Sequence, residues 1–412
     1  MPVFISSIPT IEEDDLKLCK ELLSKNNVEN IDVKLPGFED KEHYYTNTGR
    51  AALYAILKAL EITKGDEVII QSFTCMAVVV PLKWLDIKPV YADIEQETYN
   101  ISLESIKGRI TDKTRAIIIQ HTFGIPAQIE RIKEYIDEIN KNRSKEKEIF
   151  LIEDCAHCLN IKKEDKYLGT YGDVSFFSFG QDKVVSTTQG GCIVSNDREL
   201  EKKIERVYKK IPDMPESMVK YNLRYPILWD LIKKVYYKPQ VLANSKYFSK
   251  FTVGKFLILL FRFLGLIKSQ ASKDDFGDPK EGVYKLSVKQ KHLLKNQLDK
   301  LERFSTHREK ITEKYSRLLD LDLHGFLIRY PVLVDYPDIV KSKLQQIRVI
   351  AGNWYNYPVI PRGIDLDKVG YTVGTCPNTE YVMEHILNLP TGLDVTAKDA
   401  ERIVHIVEPH LT

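Results

Sequence analysis

Apolar residues follow two rhythms over the first half of the chain. Arg50–Leu60 places Ala51, Leu53, Ile56, Leu57 and Leu60 at helical spacing. Short unbroken runs follow: Glu67–Gln71 (EVIIQ), Lys88–Ala92 (KPVYA), Ala116–Gln120 (AIIIQ) and Ile149–Glu153 (IFLIE). Met76–Leu85 and Pro126–Asn142 read as helices between them. Strands that are apolar on both faces, separated by helices, predict a largely parallel sheet covered on both sides. Val174–Phe179 (VSFFSF) and Gly191–Ser195 (GCIVS) are also strand-like, with only a loop between them. A link that short points to neighbours without a crossover helix, so the sheet is expected to be mixed.

Farther on, Arg198–Ala271 reads as helical and aromatic, broken by Pro212, Pro215, Pro226 and Pro239. Ser269–Lys280 is polar, with Gly277 and Pro279, and reads as a linker. Lys289–Leu319 reads as one long charged helix with Leu293, Leu294, Leu298 and Leu301 on a stripe. Short strands and helices fill the remainder to Thr412. The expected fold is α/β. A large domain over residues 1–270 carries a mostly parallel mixed sheet with helices on both faces and a helical insertion around 210–270. A smaller C-terminal α+β domain over 271–412 includes the long connecting helix.

One segment stands apart. Phe251–Ile267 (FTVGKFLILLFRFLGLI) is strongly apolar, but Lys255 and Arg262 interrupt it. It falls short of the roughly 20 apolar residues of a membrane span. A buried or interface helix is the first expectation, and a helix lying on a membrane surface the second.

Composition narrows the function classes. The chain has 412 residues, 43% hydrophobic and 29% charged, as in ordinary globular enzymes. Lys+Arg (60) nearly balances Asp+Glu (58), which gives no electrostatic reason to expect a nucleic-acid partner. Six scattered cysteines do not resemble a disulfide scaffold, and Met1–Glu13 lacks the pattern of a signal peptide. A cytoplasmic location is expected. No GxxxxGK[ST] or GxGxxG occurs, so nucleotide-phosphate hydrolysis and dinucleotide redox chemistry lack support. Cys155-Ala-His-Cys158 has CxxC spacing, but no second cysteine pair accompanies it, so no structural metal site is expected. Trp354-Tyr355-Asn356-Tyr357-Pro358 is expected in the core or an interface, with stacking on a sugar or base as the second reading.

Three motifs carry chemistry. In Asn47-Thr48-Gly49-Arg50-Ala51-Ala52-Leu53, a hydroxyl and a glycine sit where a helix begins. Free backbone N–H groups there suit a phosphate, and Arg50 can add a charged clamp. A plain helix cap by Thr48 explains the same residues. In Ile152-Glu153-Asp154-Cys155-Ala156-His157, a carboxylate ends an apolar strand, where α/β sheets place ligands. Asp154 serves equally well as a cap for a following helix. Ser178-Phe179-Gly180-Gln181-Asp182-Lys183 puts a lysine just after a strand. Such a lysine is normally solvated; a desolvated one can act as a nucleophile.

In this order, the motifs resemble the DegT/StrS family of sugar aminotransferases, in fold type I of the pyridoxal phosphate enzymes. The resemblance runs through Thr46–Leu53, Gly65–Ser102, His121–Pro126, Glu153–His157, Gly172–Asp197 and Gln297–Tyr315, and returns at Ile386–Pro390. It implies that Lys183 is the lysine joined to pyridoxal 5′-phosphate and that Asp154 pairs with the pyridine nitrogen. Ser178 and Thr48-Gly49-Arg50 match the phosphate cup, and His157 falls beside the cofactor ring. Cys75 occupies the position of a stacking aromatic residue. Thr188-Gln189 replaces a common Gly-Glu pair. Val283 and Lys285 replace an asparagine, which in the family reaches the neighbouring subunit's phosphate, and an arginine. The resemblance further implies a homodimer that moves an amino group from an amino acid, glutamate by family habit, to a keto sugar linked to a nucleotide. Such a reaction belongs to polysaccharide biosynthesis. A lyase, racemase or dehydratase on the same fold, or a non-catalytic regulatory relative, are the alternatives.

Overall fold

The computed structural model describes residues 3–4, 10–239, 252–267 and 276–412. Its main sheet has seven strands: β1 (Tyr44–Thr46), β2 (Glu67–Gln71), β3 (Lys88–Ala92), β4 (Thr114–Gln120), β5 (Phe150–Asp154), β6 (Val174–Ser178) and β7 (Gly191–Ser195). They lie in the order β1-β7-β6-β5-β4-β2-β3. From β6 to β3 every pair is parallel, while β7 is antiparallel to both neighbours. This is the mixed sheet that the short Val174–Ser195 link implies.

Alternation along each strand sends side chains to two cores. Ile70, Ile118, Ile152, Phe176 and Ile193 meet helices α2 (Gly49–Ala59), α3 (Met76–Trp84) and α5 (Arg198–Lys209) on one face. Ile69, Ile117, Ile119 and Leu151 meet α4 (Ile129–Asn140) on the other, through Ile132 and Ile136. Complete burial on both faces accounts for the unbroken apolar runs.

The insertion departs from expectation at two points. Pro226 lies inside the 20-residue helix α6 (Glu216–Val235) and does not end it. An internal proline costs about 3 kcal/mol, and burial of Pro226 with its neighbours offsets that. Helix α7 (Val253–Phe263), expected as a buried or interface helix, packs on α6 along one side only. Gly254 is its one buried residue, while Phe256, Leu259 and Phe263 are exposed. Phe251 and residues 269–275 of the expected linker lie outside the described residues. Among the described residues no helix is long and apolar enough to cross a membrane.

The long connecting helix is two helices, α8 (Val288–Leu298) and α9 (Leu301–Leu319). Its leucine periodicity spans the break and so does not reveal it. The break lies at Asp299–Lys300, where Asp14 and Asp15 of helix α1 (Glu13–Ser24) hold the Lys300 ammonium at 2.8 and 2.7 Å. Beyond α9, antiparallel strands β8 (Arg329–Leu333) and β9 (Ile386–Pro390) pack with α10 (Ala397–Val407). Two short parallel pairings tie this region back. Val3–Phe4 joins Val349–Ile350, and Val359–Ile360 joins Thr74–Cys75.

Candidate active site

A cavity of about 380 Å³ opens at the carboxyl ends of the sheet strands. Register builds its floor. Gln120 of β4 lies opposite Asp154 of β5, and Thr46, Gly191 and Ser178 form a row across β1, β7 and β6. Thr48, Gly49, Arg50, Cys75, Asp154, His157, Ser178 and Lys183, all singled out from the sequence, line this one cavity.

Thr48, Gly49, Arg50 and Ser178 form one end of the cavity, a set suited to an anion. Thr48 caps α2, its Oγ1 accepting the Ala51 N–H at 3.0 Å. Capping and a phosphate-sized site therefore coexist, because the cap satisfies one N–H and leaves others at the helix start. Gly49 lies so near Ser178 that an added Cβ would sit 3.2 Å from the Ser178 Cβ. Arg50 is half-buried; its Nε is buried with no hydrogen-bond partner, and the described residues offer it no ion pair. Burial pulls its pKa down. A partly desolvated cation without an anion is costly, which suits this end to a negatively charged ligand.

Gly191 is what lets the cup close. A Cβ there would lie 2.4 Å from the Thr48 carbonyl oxygen and 2.7 Å from the Gly49 nitrogen, both backbone atoms. Gly191→Ala is expected to cost about 1–3 kcal/mol of stability and to weaken phosphate-ester binding. Denaturant unfolding checks it, and a wild-type midpoint would contradict the close packing.

At the centre, Lys183 sits in a loop closed by its N–H to the Gly180 carbonyl (3.2 Å). The Lys183 Nζ is 3.4 Å from Asp182 Oδ2, and Arg329 Nη2 meets the same oxygen at 2.9 Å. Burial alone would raise the Asp182 carboxyl, but Lys183 and Arg329 hold it well below the carboxylate range. The loop is anchored from outside: Gln290 Nε2 donates to the Thr187 and Gln189 carbonyls, and Thr188 Oγ1 donates to the Asn222 carbonyl at 2.7 Å. Thr188 holds φ +71°, a left-handed conformation that glycine adopts more easily. That hydrogen bond secures a residue standing where the family commonly has glycine.

Asp154 does not cap a helix; turns follow it. Its Oδ1 accepts the Ala156 N–H at 3.0 Å. Burial raises its pKa to about 6, against that hydrogen bond and the charge of Lys183. Asp154 is thus a carboxyl that a cationic partner would return to full ionisation. Burial, with Lys183 and Arg329 nearby, keeps His157 neutral. Its Nδ1 accepts the Phe123 N–H at 3.2 Å, which leaves the ring proton on Nε2. Burial also pushes the Cys75 thiol up, so it stays uncharged.

Neighbouring Glu153 is structural. Its two oxygens accept the N–H groups of Gly169, Tyr171 and Gly172, and the His121 Nε2. The CxxC pair falls beside it: Cys155, Cys158 and His121 bring possible ligand atoms within 4.8 Å. Both His121 nitrogens are already committed, Nδ1 to the Ala127 N–H and Nε2 to Glu153.

Some wall residues are not apparent from the sequence. Arg329 is buried, with its guanidinium 4.1 Å from the Trp354 ring centroid. A lone arginine inside the apolar run FLIRYPVLV is the available signal, since a buried charge needs a partner. Asp182, Gln120 and Gln181 also line the cavity. Trp354 and Tyr355 reach it because Val359–Ile360 pairs with Thr74–Cys75. They bring aromatic rings to the side of the cavity where Cys75 leaves none. Val283, by contrast, is buried in the core away from the cavity wall.

Comparison with known proteins agrees with this geometry. The family model for DegT/DnrJ/EryC1/StrS aminotransferases matches residues 11–215 and 258–408. GDP-perosamine synthase of Escherichia coli O157:H7 is 35% identical over 208 residues, 48% of this chain and 54% of that protein. The UDP-N-acetyl-3-dehydro-alpha-D-glucosamine 3-aminotransferase of Acidithiobacillus ferrooxidans is 33% identical over 158 residues, 38% of this chain and 41% of that protein. The chain thus spans about half the length of the curated relatives it matches. The fold is that of the pyridoxal phosphate form of a sugar aminotransferase from Streptococcus pneumoniae, with a TM-score of 0.69 at 17% identity. That likeness covers 97% of this chain and 96% of that one. The chain belongs to the DegT/DnrJ/EryC1/StrS family of aminotransferases, enzymes that use pyridoxal 5′-phosphate.

Proposed function

We propose that this chain is a pyridoxal phosphate-dependent aminotransferase that moves an amino group from an amino acid, glutamate foremost, to a keto group on a nucleotide-linked sugar. One observation carries the reading: Lys183, Asp154 and the Thr48–Arg50 helix start line a single cavity. The residues fit the cofactor. The unpaired Arg50, the α2 start and Ser178 suit its phosphate, and Asp154 suits its ring nitrogen. The matched relatives named for GDP- and UDP-linked sugars support the acceptor class.

Bound pyridoxal phosphate supplies a sink for the electrons left when a substrate carbon loses its proton. The chain's residues do the rest. Asp154 holds positive charge at the ring nitrogen, so that the sink stays effective. Lys183 Nζ takes the proton from one carbon and returns it to another. Asp182, pinned by Arg329, keeps the ammonium form of Lys183 positioned between these events. Neutral His157 donates from Nε2 without adding charge. Trp354 and Tyr355 close the cavity with aromatic surface that excludes water. The working unit is read as a homodimer in the cytoplasm, by family likeness.

Because both substrates use the same Lys183, the first product must leave before the second substrate reacts. Initial-rate plots with glutamate and a nucleotide-linked keto sugar are expected to be parallel. Formation of 2-oxoglutarate should depend on the keto sugar and match the amino sugar mole for mole. Intersecting plots, or loss of the amino group without sugar amination, would assign the chain to another reaction of this cofactor.

A further inference from the structure

We propose that the exposed face of α7 docks on an anionic lipid membrane. Phe256, Leu259 and Phe263 fall on one stripe of this helix and are 62%, 64% and 88% exposed, with Leu264 beside them at 55%. The opposite side is already used: Leu257, Ile258 and Phe261 pack with Tyr225 and Ile232 of α6. Among the described residues, then, a bulky apolar ridge faces outward from a helix whose other side is packed.

Charge selects the occupant. From Leu231 to Lys273 the sequence has nine lysines and arginines and no aspartate or glutamate. The whole chain nets only +2, so the remainder is acidic and this segment holds the basic excess. Lys233, Lys234, Lys238, Lys255 and Arg262 are its described basic residues, of which Lys234 is paired with Asp230 just before the segment, at 2.7 Å. An apolar ridge carried by a basic segment matches acidic headgroups over an acyl boundary. An 11-residue helix is about 16 Å long, which suits lying in that boundary and not crossing it. A second copy fits less well, since a two-fold contact would set the basic segment against itself.

Two more observations set this surface in a segment whose sequence departs from the family pattern and tie it to the site. The family model leaves residues 216–257 unmatched, which covers α6 and the start of α7. Helix α6 is bonded to the cavity wall: Tyr225 Oη donates to Gln181 Oε1 at 2.6 Å, and the Asn222 carbonyl accepts from Thr188. One helix thus joins the docking ridge to the site.

Vesicle flotation with the full chain tests this. Vesicles of phosphatidylcholine with about 30 mol% phosphatidylglycerol are expected to bind the protein at least about tenfold better than phosphatidylcholine alone. Added salt should weaken the binding. The double variant Phe256→Glu/Phe263→Glu should lose binding about tenfold or more, with an unchanged unfolding midpoint because both side chains are exposed. As a second readout, Phe263→Trp should show a blue-shifted emission on the anionic vesicles only. Absence of binding to anionic vesicles overturns the proposal, as does binding that the double variant leaves intact. If the double variant instead turns a dimer into monomers by light scattering, and wild type ignores vesicles, the ridge is a subunit contact.

Discussion

Lys183→Ala is expected to lower the amino-transfer rate by about 10⁴-fold or more. It should also remove the visible absorption that the lysine-bound cofactor gives wild type. The size follows from two lost roles at one atom, attachment of the cofactor and proton transfer. The proposed phosphate cup, Thr48, Gly49, Arg50 and Ser178, does not include Lys183, so the variant should still bind pyridoxal phosphate, more weakly. A small primary amine added to the buffer should restore part of the rate, because it can carry the proton in place of Nζ. Identical spectra for wild type and variant would sink the assignment. Activity that survives the substitution would sink it equally.

Asp154→Asn carries the second large effect, about 10²–10³-fold in rate. An amide cannot hold positive charge on the ring nitrogen, and the nearby carboxylates are committed elsewhere: Glu153 to Gly169, Tyr171, Gly172 and His121, and Asp182 to Lys183 and Arg329. The pH dependence gives a separate readout. Burial raises the Asp154 carboxyl from 3.8 to about 6. Below that value the group is protonated and cannot pair with a cationic ring. Cofactor affinity in wild type should therefore fall as pH drops through 6, approaching tenfold per unit, and the Asn variant should lack this slope. Folding of the cofactor-free protein runs the other way. The raised carboxyl favours the folded state below about 3.8, and that contribution is lost as pH rises through about 6. Equal slopes for wild type and variant would remove Asp154 from the cofactor's ring.

Both predictions rest on residues that the sequence singles out through its resemblance to the family. Lys183, Asp154 and Thr48-Gly49-Arg50 each lie at or just beyond the end of an element with a clear apolar pattern, but that pattern alone leaves each an ordinary structural reading. In a parallel sheet such ends converge on one edge. Arg329 and Trp354 are not legible as site residues. Each comes from the C-terminal region, more than 140 residues from Lys183 in sequence, and joins the cavity through long-range pairing. Nothing in local periodicity reports such a contact. The break between α8 and α9 is hidden for a similar reason. Leucine spacing continues across it, while Lys300 is held by aspartates from the other end of the chain.

Local order, then, is set by the sequence alone: the strands, their mixed direction, and three chemical motifs at strand and helix ends. Hydrophobic period and capping chemistry act over a few residues and are written directly into the chain. Tertiary structure decides the rest. It brings Arg329 to Asp182, sets aromatic rings near Cys75, and turns one face of α7 outward where a buried or interface helix is the first expectation. These outcomes depend on which distant surfaces meet, and that is settled by packing across the whole molecule.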